Sequence, residues 1–379
     1  MFHLYLGLAY LYVLWRFVIP LPVSTGWRIL LALVVLVVSK YHLIQIWVFG
    51  TMFSPEIPRW AVLVASWAFC SFVLLFVFVA IADLAKVLLS ILRLRTARKL
   101  VSAHSRYVIA LVASLLSALG VYQAVQVPDV RNVEVRIKNL PHSLDGLRVV
   151  QLTDLHISRL FHAPWVSQVV ARTNALNPDL ILITGDLIDG TTAARRQDVA
   201  ALGGLKAALG VVAIPGNHEY YFNEAQWHSE FEKLGMRMLE NEHVVIGSGD
   251  EELVVAGVTD EAAPAFGMPG PDLDAALVNA PVNAPVILLK HRPSGALRSA
   301  NAGVGLQLSG HTHGGMIRGL DQVARYANED FVSGAYTVGE MLLYTSNGTG
   351  LWNGFPIRLG VPGEITQFTL RAGSPTQSF

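Results

Sequence analysis

The sequence of 379 residues contains a single cysteine, Cys70, so the chain forms no intrachain disulfide and offers no thiolate cluster to a structural zinc ion. Charged residues make up only 15% of the chain, and its 28 basic residues balance its 28 acidic ones. This neutral balance gives no support to nucleic-acid binding, and we expect no nucleic-acid partner. Acidic residues are scarcest near the start, where the first 126 residues contain only Glu56 and Asp83. The first third of the chain therefore has fewer acidic residues than the rest.

Residues 1–126 are predicted to form an all-α transmembrane region of about four helices. A membrane-spanning helix needs about 20 mainly apolar residues. Four segments approach that length: 3–22, 27–49, 60–82 and 107–126. Arg16 interrupts the first of them, and a cleaved signal peptide is the alternative there, although the segment lacks the basic start and small-residue cleavage site of such peptides.

The loop between the third and fourth segments is strongly basic. It has no acidic residue from Leu84 to Arg106. Its basic residues are Lys86, Arg93, Arg95, Arg98, Lys99 and Arg106. The positive-inside rule places such a loop in the cytoplasm, and one further span would carry residues 127–379 to the extracytoplasmic side. If 107–126 were instead a re-entrant or surface helix, residues 127–379 would face the cytoplasm.

The rest of the chain repeats one pattern, in which an apolar, strand-like run ends just before residues that bind metals well. The first run is Val149–Leu152, and the last is Val304–Leu308. The candidate metal ligands that follow these runs are Asp154, His156, Asp186, Asn217, His291, His311 and His313. Sites in open α/β sheets form beyond the carboxyl ends of the strands. We therefore expect these side chains to meet at one edge of a sheet.

Carboxylate, amide and imidazole ligands together suit a pair of divalent ions. Two such ions about 3.5–4 Å apart stabilise the charge that develops on a phosphoryl group and generate hydroxide near neutral pH. Ligation by Asp, Asn and His without cysteine favours Mn, Fe or Zn at a catalytic site. The sequence thus predicts a cofactor of two divalent metal ions.

The candidate ligands fall into five motifs in a fixed order. These are Asp154-x-His156, Gly185-Asp186, Gly216-Asn217-His218-Glu219, His291 and Gly310-His311-x-His313. In this order they resemble the signature of the calcineurin-like metallophosphoesterases, most of all the membrane-associated bacterial branch of that family. The resemblance covers nearly all of residues 127–379. It implies an α/β fold, the four-layer αββα metallophosphoesterase sandwich.

The same resemblance implies a role for each residue. One ion would be held by Asp154, His156 and His313. The other would be held by Asn217, His291 and His311. Asp186 would bridge the two ions. His218 would face the substrate phosphate as a general acid or charge stabiliser, and Glu219 would orient it.

Between the motifs, the pattern predicts alternating helices and strands. Helices are predicted at 164–176, 193–209 and 223–234. Further strands are predicted at 133–137, 244–246, 253–257, 341–345 and 365–370. No long Gly/Ser linker separates the two predicted domains, 1–126 and 127–379.

The predicted function is a membrane-anchored, dinuclear-metal phosphoesterase that hydrolyses a phosphoester or pyrophosphate bond. The membrane anchor favours an amphipathic or lipid-linked substrate, and the resemblance implies an integral protein of the bacterial inner membrane. Two alternatives stay open. One is a cytoplasm-facing nucleotide-lipid pyrophosphatase of lipid A precursor synthesis, and the other is a catalytically silent scaffold on the same fold.

Overall fold

The computed structural model describes residues 2–93, 102–248 and 251–373. The chain divides into a helical unit, Met1–Ala124 with Asn353–Leu359, and a larger mixed unit, Val125–Trp352 with Gly360–Phe379. The first stretch of the helical unit ends at Ala124, two residues before the predicted domain boundary at residue 126. The sequence did not predict that residues 353–359 belong with the helices. Arg95, Arg98 and Lys99 of the basic loop lie outside the described residues.

All four predicted membrane segments are helical in the structure. The helices are α1 (Phe2–Val13), α2 (Thr25–Ser39), α3 (Tyr41–Phe49), α4 (Arg59–Ile91) and α5 (Ala103–Ala124). By length and composition α4 and α5 are each able to cross a membrane, and α2 with α3, bent by 57°, would make a third span if the pair crosses once. The first segment, Phe2–Val18, is shorter. Two or three candidate spans are therefore present among the described residues, and a fourth stays a prediction.

Arg16, which interrupts the first segment, has a partner within the helical unit. Its Nε donates to Oδ2 of Asp83 over 2.7 Å, and the Tyr12 hydroxyl donates to the same oxygen over 2.6 Å. A charge in an apolar helix is tolerated when it is paired in this way. The ion pair therefore explains how an arginine and an aspartate occur in otherwise apolar helices.

Residues 353–359 pack among the helices of this unit. Nε2 of His42 donates to the carbonyl oxygen of Gly354 over 2.8 Å. The backbone N–H of Arg358 donates to the carbonyl oxygen of Gly120 over 3.0 Å. A Cβ on Gly120 would lie 2.4 Å from Cγ1 of Ile357, closer than real side chains approach. Gly120 thus allows this segment to lie directly against the backbone of α5.

The mixed unit contains two six-stranded sheets. The first has the spatial order Val130–Ile137 (β1), Ile365–Ala372 (β12), Arg148–Leu152 (β2), Leu180–Thr184 (β3), Val211–Ile214 (β4) and Met236–Met238 (β5). The second has the order Gly334–Val338 (β10), Met341–Thr345 (β11), Leu306–Ser309 (β9), Val286–Leu289 (β8), Glu251–Gly257 (β7) and Glu242–Ser248 (β6). Strands β2 to β5 are parallel to one another, as are β7, β8, β9 and β11.

The two sheets pack face to face, and helices cover their outer faces. Leu182 and Ile214 of the first sheet share a buried core with Val255, Ile287 and Leu308 of the second. The helices of this unit are α6 (Ala163–Ala175), α7 (Thr192–Val199), α8 (Asn217–Tyr221), α9 (Glu224–Lys233), α10 (Leu273–Ala276), α11 (Ala296–Asn301) and α12 (Asp321–Ala327). The outer face of the second sheet packs against α10 and α11, and α9 contacts β5. Strands buried on both faces explain the continuous apolar runs in the sequence, and the predicted αββα sandwich is confirmed.

One predicted helix, 193–209, is shorter than expected. It ends as α7 at Val199 and continues only as a 3₁₀ turn over Ala200–Gly204. Two consecutive glycines, Gly203 and Gly204, make a longer α-helix unfavourable because glycine has poor helix propensity.

Candidate dinuclear metal site

The predicted ligands lie in loops that follow the carboxyl ends of five strands. In the first sheet these strands are β2, β3 and β4, and in the second they are β8 and β9. In chain order the ligands are Asp154, His156, Asp186, Asn217, His291, His311 and His313. Parallel strands direct their carboxyl ends to one edge, and His311 is the most exposed of the seven, since the others are buried. Both sheets therefore contribute to one site.

The backbone at most of these ligands is left-handed. The five residues concerned are Asp154 (φ 52°), His156 (φ 43°), Asp186 (φ 54°), His311 (φ 69°) and His313 (φ 51°). Residues other than glycine rarely adopt a positive φ, and such strain persists where surrounding structure enforces it, often at functional sites. The fold thus imposes an unfavourable backbone conformation to direct these side chains.

Two glycines let the backbone approach the carboxylate ligands. A Cβ on Gly216 would lie 2.2 Å from Oδ1 of Asp186, and one on Gly310 would lie 2.3 Å from Oδ2 of Asp154. Any larger residue at either position would displace a ligand, because no Cβ fits at that distance.

Asp154, His156 and His313 form the first group of ligands. Oδ1 of Asp154 lies 3.9 Å from Nε2 of His156 and 3.7 Å from Nε2 of His313. The backbone N–H of His311 donates to both carboxylate oxygens of Asp154 over 3.1 Å, which fixes their orientation. This is the set predicted for one of the two ions.

Asp186, His291 and His311 form the second group. Nε2 of His291 lies 3.1 Å from Oδ2 of Asp186 and 3.3 Å from Nδ1 of His311. The same Asp186 oxygen lies 3.7 Å from Nε2 of His156, a member of the first group. Asp186 thus lies between the two groups, in the position predicted for a bridging carboxylate.

The donor atoms fit divalent ions. Nε2 of His156 and Oδ1 of Asn217 are buried and have no hydrogen-bond partner among the residues that the structure describes. Buried polar atoms are rarely left without a partner, so these two are suited to binding a cation. Nδ1 of His291 donates to the carbonyl oxygen of Thr184 over 2.8 Å, which leaves Nε2 facing Asp186. The structure therefore combines carboxylate, amide and imidazole donors without thiolates, a set suited to Mn, Fe or Zn.

The charges at the site also fit divalent ions. Burial lowers the pKa of His311 to about 3, with His291 adding to the effect, so this imidazole is neutral as a metal ligand must be. Burial opposes protonation of His291, but Asp186 and Asp154 outweigh it and raise its pKa to about 10. A divalent ion would replace that proton, because it would neutralise the same two carboxylates, Asp186 and Asp154.

His218 lies beside these groups, and its partner is Asp189. Nδ1 of His218 donates a hydrogen bond to Oδ1 of Asp189, and both side chains are buried. The His218 ring centroid lies 4.6 Å from that of His156. Burial alone would lower the pKa of His218, but the carboxylates of Asp186 and Asp189 outweigh it and raise the pKa to about 9. The two carboxylates therefore favour the protonated form of His218, which is the form that a proton donor requires.

Comparison with known proteins agrees with this geometry. Residues 147–315 match the family described as calcineurin-like phosphoesterase. A Danio rerio protein named "Transmembrane protein with metallophosphoesterase domain" is 32% identical over 361 residues, which cover 91% of this chain and 80% of that protein. The chain belongs to the calcineurin-like metallophosphoesterases.

Other metallophosphoesterases of this kind come from both animals and bacteria. A Bos taurus protein with the same name is 38% identical over 274 residues, covering 69% of this chain and 61% of that protein. An uncharacterized metallophosphoesterase of Campylobacter jejuni is 31% identical over 295 residues, covering 76% of each chain. The chain thus spans about three fifths of the Bos taurus protein. The predicted family is confirmed, and the two relatives named as transmembrane proteins agree with the apolar helices.

Glu219 does not orient His218 in this metallophosphoesterase, so that prediction was wrong. Its carboxylate accepts hydrogen bonds from the backbone N–H groups of Asp186 (2.9 Å), Leu187 (2.8 Å) and Gly216 (2.7 Å). Burial raises the pKa of Glu219 to about 7, with Asp186 adding to the effect. Glu219 instead links the loop that carries Asp186 to the loop that carries Asn217. These hydrogen bonds fix the positions of the two candidate ligands relative to each other.

Asp189 is a residue of the candidate site that the sequence analysis did not predict. It follows Asp186 by three residues, in Gly185-Asp186-Leu187-Ile188-Asp189. A second aspartate so close to a predicted ligand, in an otherwise apolar loop, was the available signal. The signal is weak, since a single Asp in a loop has many ordinary explanations.

Proposed function

We propose that this metallophosphoesterase is a membrane-anchored, dinuclear-metal enzyme that hydrolyses a phosphoester or pyrophosphate bond in an amphipathic, lipid-linked substrate. The observation that carries the proposal is the position of Asp186, whose Oδ2 lies 3.7 Å from Nε2 of His156 and 3.1 Å from Nε2 of His291. One carboxylate between two groups of ligands is what a pair of ions requires.

The two ions would be held by the ligand sets described above. When bound, they would supply Lewis-acid stabilisation of the phosphoryl oxygens and activate water near neutral pH. His218 would protonate the leaving oxygen. Because Nδ1 of His218 donates to Asp189, the transferred proton would come from Nε2. Asp189 thereby fixes the ring and stabilises its charged form.

The lipid-linked substrate is supported by the path of the chain. The backbone N–H groups of Thr349 and Gly350 donate to the carbonyl oxygens of Thr153 and Asp154 over 2.8 and 2.9 Å. Three residues after Gly350, the chain belongs to the helical unit. A loop beside the candidate ligands that continues so soon into a segment of the helical unit favours a substrate that is itself held in a bilayer.

The proposed location is a bacterial inner membrane, with the catalytic unit on the extracytoplasmic side. Helix α5 joins the basic loop to the catalytic unit, and it is 22 residues long and apolar enough to cross a membrane. This length and composition favour a full span over a re-entrant helix. The cytoplasm-facing alternative therefore has less support. A catalytically silent scaffold also has less support, since each of the predicted ligand positions carries a residue able to bind a metal ion.

A substrate panel tests the proposal. Full-length protein in detergent would be assayed with phosphomonoesters, phosphodiesters and lipid pyrophosphates in Mn²⁺, Zn²⁺ and Mg²⁺. We expect metal-dependent hydrolysis of at least one class, with a preference for the lipid-linked member, and its loss in Asp186→Ala. Hydrolysis of none of them by protein that holds two ions would favour the scaffold instead.

A further inference from the structure

An exposed tyrosine lies beside the proposed proton donor, and an exposed phenylalanine lies beside that tyrosine. The ring centroid of Tyr221, at the end of α8, lies 5.1 Å from that of His218. The ring centroid of Phe266, at the end of a 3₁₀ turn, lies 5.9 Å from that of Tyr221. Tyr221 is 39% exposed and Phe266 is 49% exposed. A catalytic histidine is thus bordered by apolar surface that remains open to solvent.

Neighbouring residues restrain the position of the Phe266 ring. Its ring stacks on Tyr220, which is 3% exposed, with a centroid distance of 6.3 Å and an angle of 29°. Its turn is closed by Gly267, whose φ of 76° favours glycine. The neighbouring rings therefore fix one side of Phe266 and leave the rest of its surface exposed. Adjacent exposed apolar side chains mark a binding site more often than isolated ones do, and Phe266 lies against Tyr221.

The nearby charges do not favour an anionic ligand at these rings. Arg292 interacts with Tyr221, but its guanidinium is bound to Asp260 through two hydrogen bonds of 3.0 Å. Asp260 therefore already compensates that positive charge. An apolar group suits this surface better than a second phosphate or a nucleotide.

We propose that Tyr221 and Phe266 form the binding subsite for an apolar leaving group, an alkyl or aryl alcohol esterified to the scissile phosphate. The inference rests on the proposed function, because a residue next to the proton donor meets whatever is attached to the leaving oxygen. Water attacks phosphorus, the bond from phosphorus to the leaving oxygen breaks, and that oxygen takes a proton from His218. The products are the alcohol and the phosphate, and His218 regains its proton from the attacking water.

Phe266 is the residue to vary, since Tyr221 also accepts a hydrogen bond from the side chain of Asn217, a predicted ligand. The full-length protein in detergent with Mn²⁺ would be assayed on alkyl phosphates from ethyl to hexyl. If each methylene is buried against the rings, kcat/KM should rise about three- to fourfold per methylene. Phe266→Ala should flatten this increase, and Phe266→Leu should restore part of it. Tyr326→Ala, which removes a ring that is 96% exposed elsewhere, should keep the wild-type increase.

Two results would overturn the proposed subsite, and only the second would also overturn the proposed function. Hydrolysis with no dependence on chain length, or with a dependence that Phe266→Ala leaves intact, would exclude the subsite and leave the proposed function standing. Hydrolysis of none of these esters, nor of any member of the substrate panel, would overturn the proposed function with it.

Discussion

Asp189 accepts a hydrogen bond from Nδ1 of His218, and both side chains are buried beside the predicted metal ligands. His156 lies close to both, since its Nδ1 is 3.4 Å from Oδ2 of Asp189. An imidazole that carries a proton in a buried site needs a fixed negative partner. The pair therefore links the proposed acid to His156 of the first group of ligands.

The first prediction separates acid catalysis from metal binding. His218→Ala should keep two ions per chain while kcat falls by about 10²–10⁴-fold. Asp189→Asn should lower kcat less, and the double variant should be little worse than His218→Ala, because the two residues act as a unit. Metal content and kcat would be measured on the same preparations. Loss of metal in His218→Ala would make His218 a ligand, and additive effects would separate Asp189 from it.

The second prediction concerns the bridge. Asp186→Ala should reduce the content of both ions, since Oδ2 of Asp186 lies close to members of both ligand groups. Asp154→Ala should remove mainly one ion, because Oδ1 of Asp154 lies 3.9 Å and 3.7 Å from the imidazole nitrogens of His156 and His313, whereas it meets His311 of the second group only through a backbone N–H. Elemental analysis would measure ions per chain, with Asp274→Ala, an exposed aspartate, as the control. Two ions bound to Asp186→Ala would contradict the bridging role.

The positions of the candidate ligands were predictable because each follows a strand that is apolar and almost wholly buried. The run Leu180–Thr184 is buried throughout, so its sequence alone indicated a strand and placed Asp186 just beyond its end. Strand β5 was missed because it has three residues, and the middle one, Arg237, is exposed. Strand β10 was missed because it has only five residues, begins with a glycine and is largely half-buried. Half-buried strands this short carry too little apolar pattern to be recognised, whereas the longer edge strands β1 and β6 were predicted.

Features that depend on distant parts of the chain could not be predicted. The return of residues 353–359 to the helical unit depends on Gly120 and His42, which lie more than 200 residues earlier. Nothing in the local pattern of residues 353–359 identifies those partners. The role of Glu219 was misassigned for a similar reason, because the N–H groups that it binds belong partly to a different strand's loop.

The third prediction concerns sidedness. If α5 crosses the membrane and the basic loop is cytoplasmic, the catalytic unit lies outside. Alkaline phosphatase fused after Val127 or Phe379 should then be active, and a reporter that fluoresces only in the cytoplasm should be dark at both positions. Fusions within the basic loop should give the reverse pattern. Cytoplasmic fluorescence at both fusion points would place the active site inside and favour the nucleotide-lipid alternative.

The fourth prediction concerns pH and stability. Burial, with repulsion from Glu240, raises the pKa of Glu224 to about 8 from the ordinary value of 4.5. Folded Glu224 therefore keeps a proton that the unfolded chain releases, so its contribution to stability is largest below about pH 4.5 and is lost as the pH rises through about 8. Glu224→Gln stays neutral and should show a higher Tm than the wild type at pH 9, but not at pH 5. Thermal unfolding from pH 5 to 9 would measure this, with the exposed Glu251→Gln as the control. Parallel pH profiles for Glu224→Gln and wild type would contradict it.

The last prediction uses two glycines in the helical unit. Gly120 and Gly26 both lie in helices, and alanine is the better helix former at such positions. A Cβ on Gly26 meets no described atom within 4 Å, whereas one on Gly120 would lie 2.4 Å from Cγ1 of Ile357. Gly26→Ala should therefore be neutral or slightly stabilising, while Gly120→Ala should destabilise the protein by about 1–3 kcal/mol through overpacking. Thermal unfolding in detergent would compare them, and adding Ile357→Ala to Gly120→Ala should recover part of the loss, since it removes the atoms that clash. Equal effects of the two glycine substitutions would show that residues 353–359 do not pack against α5 in the folded protein.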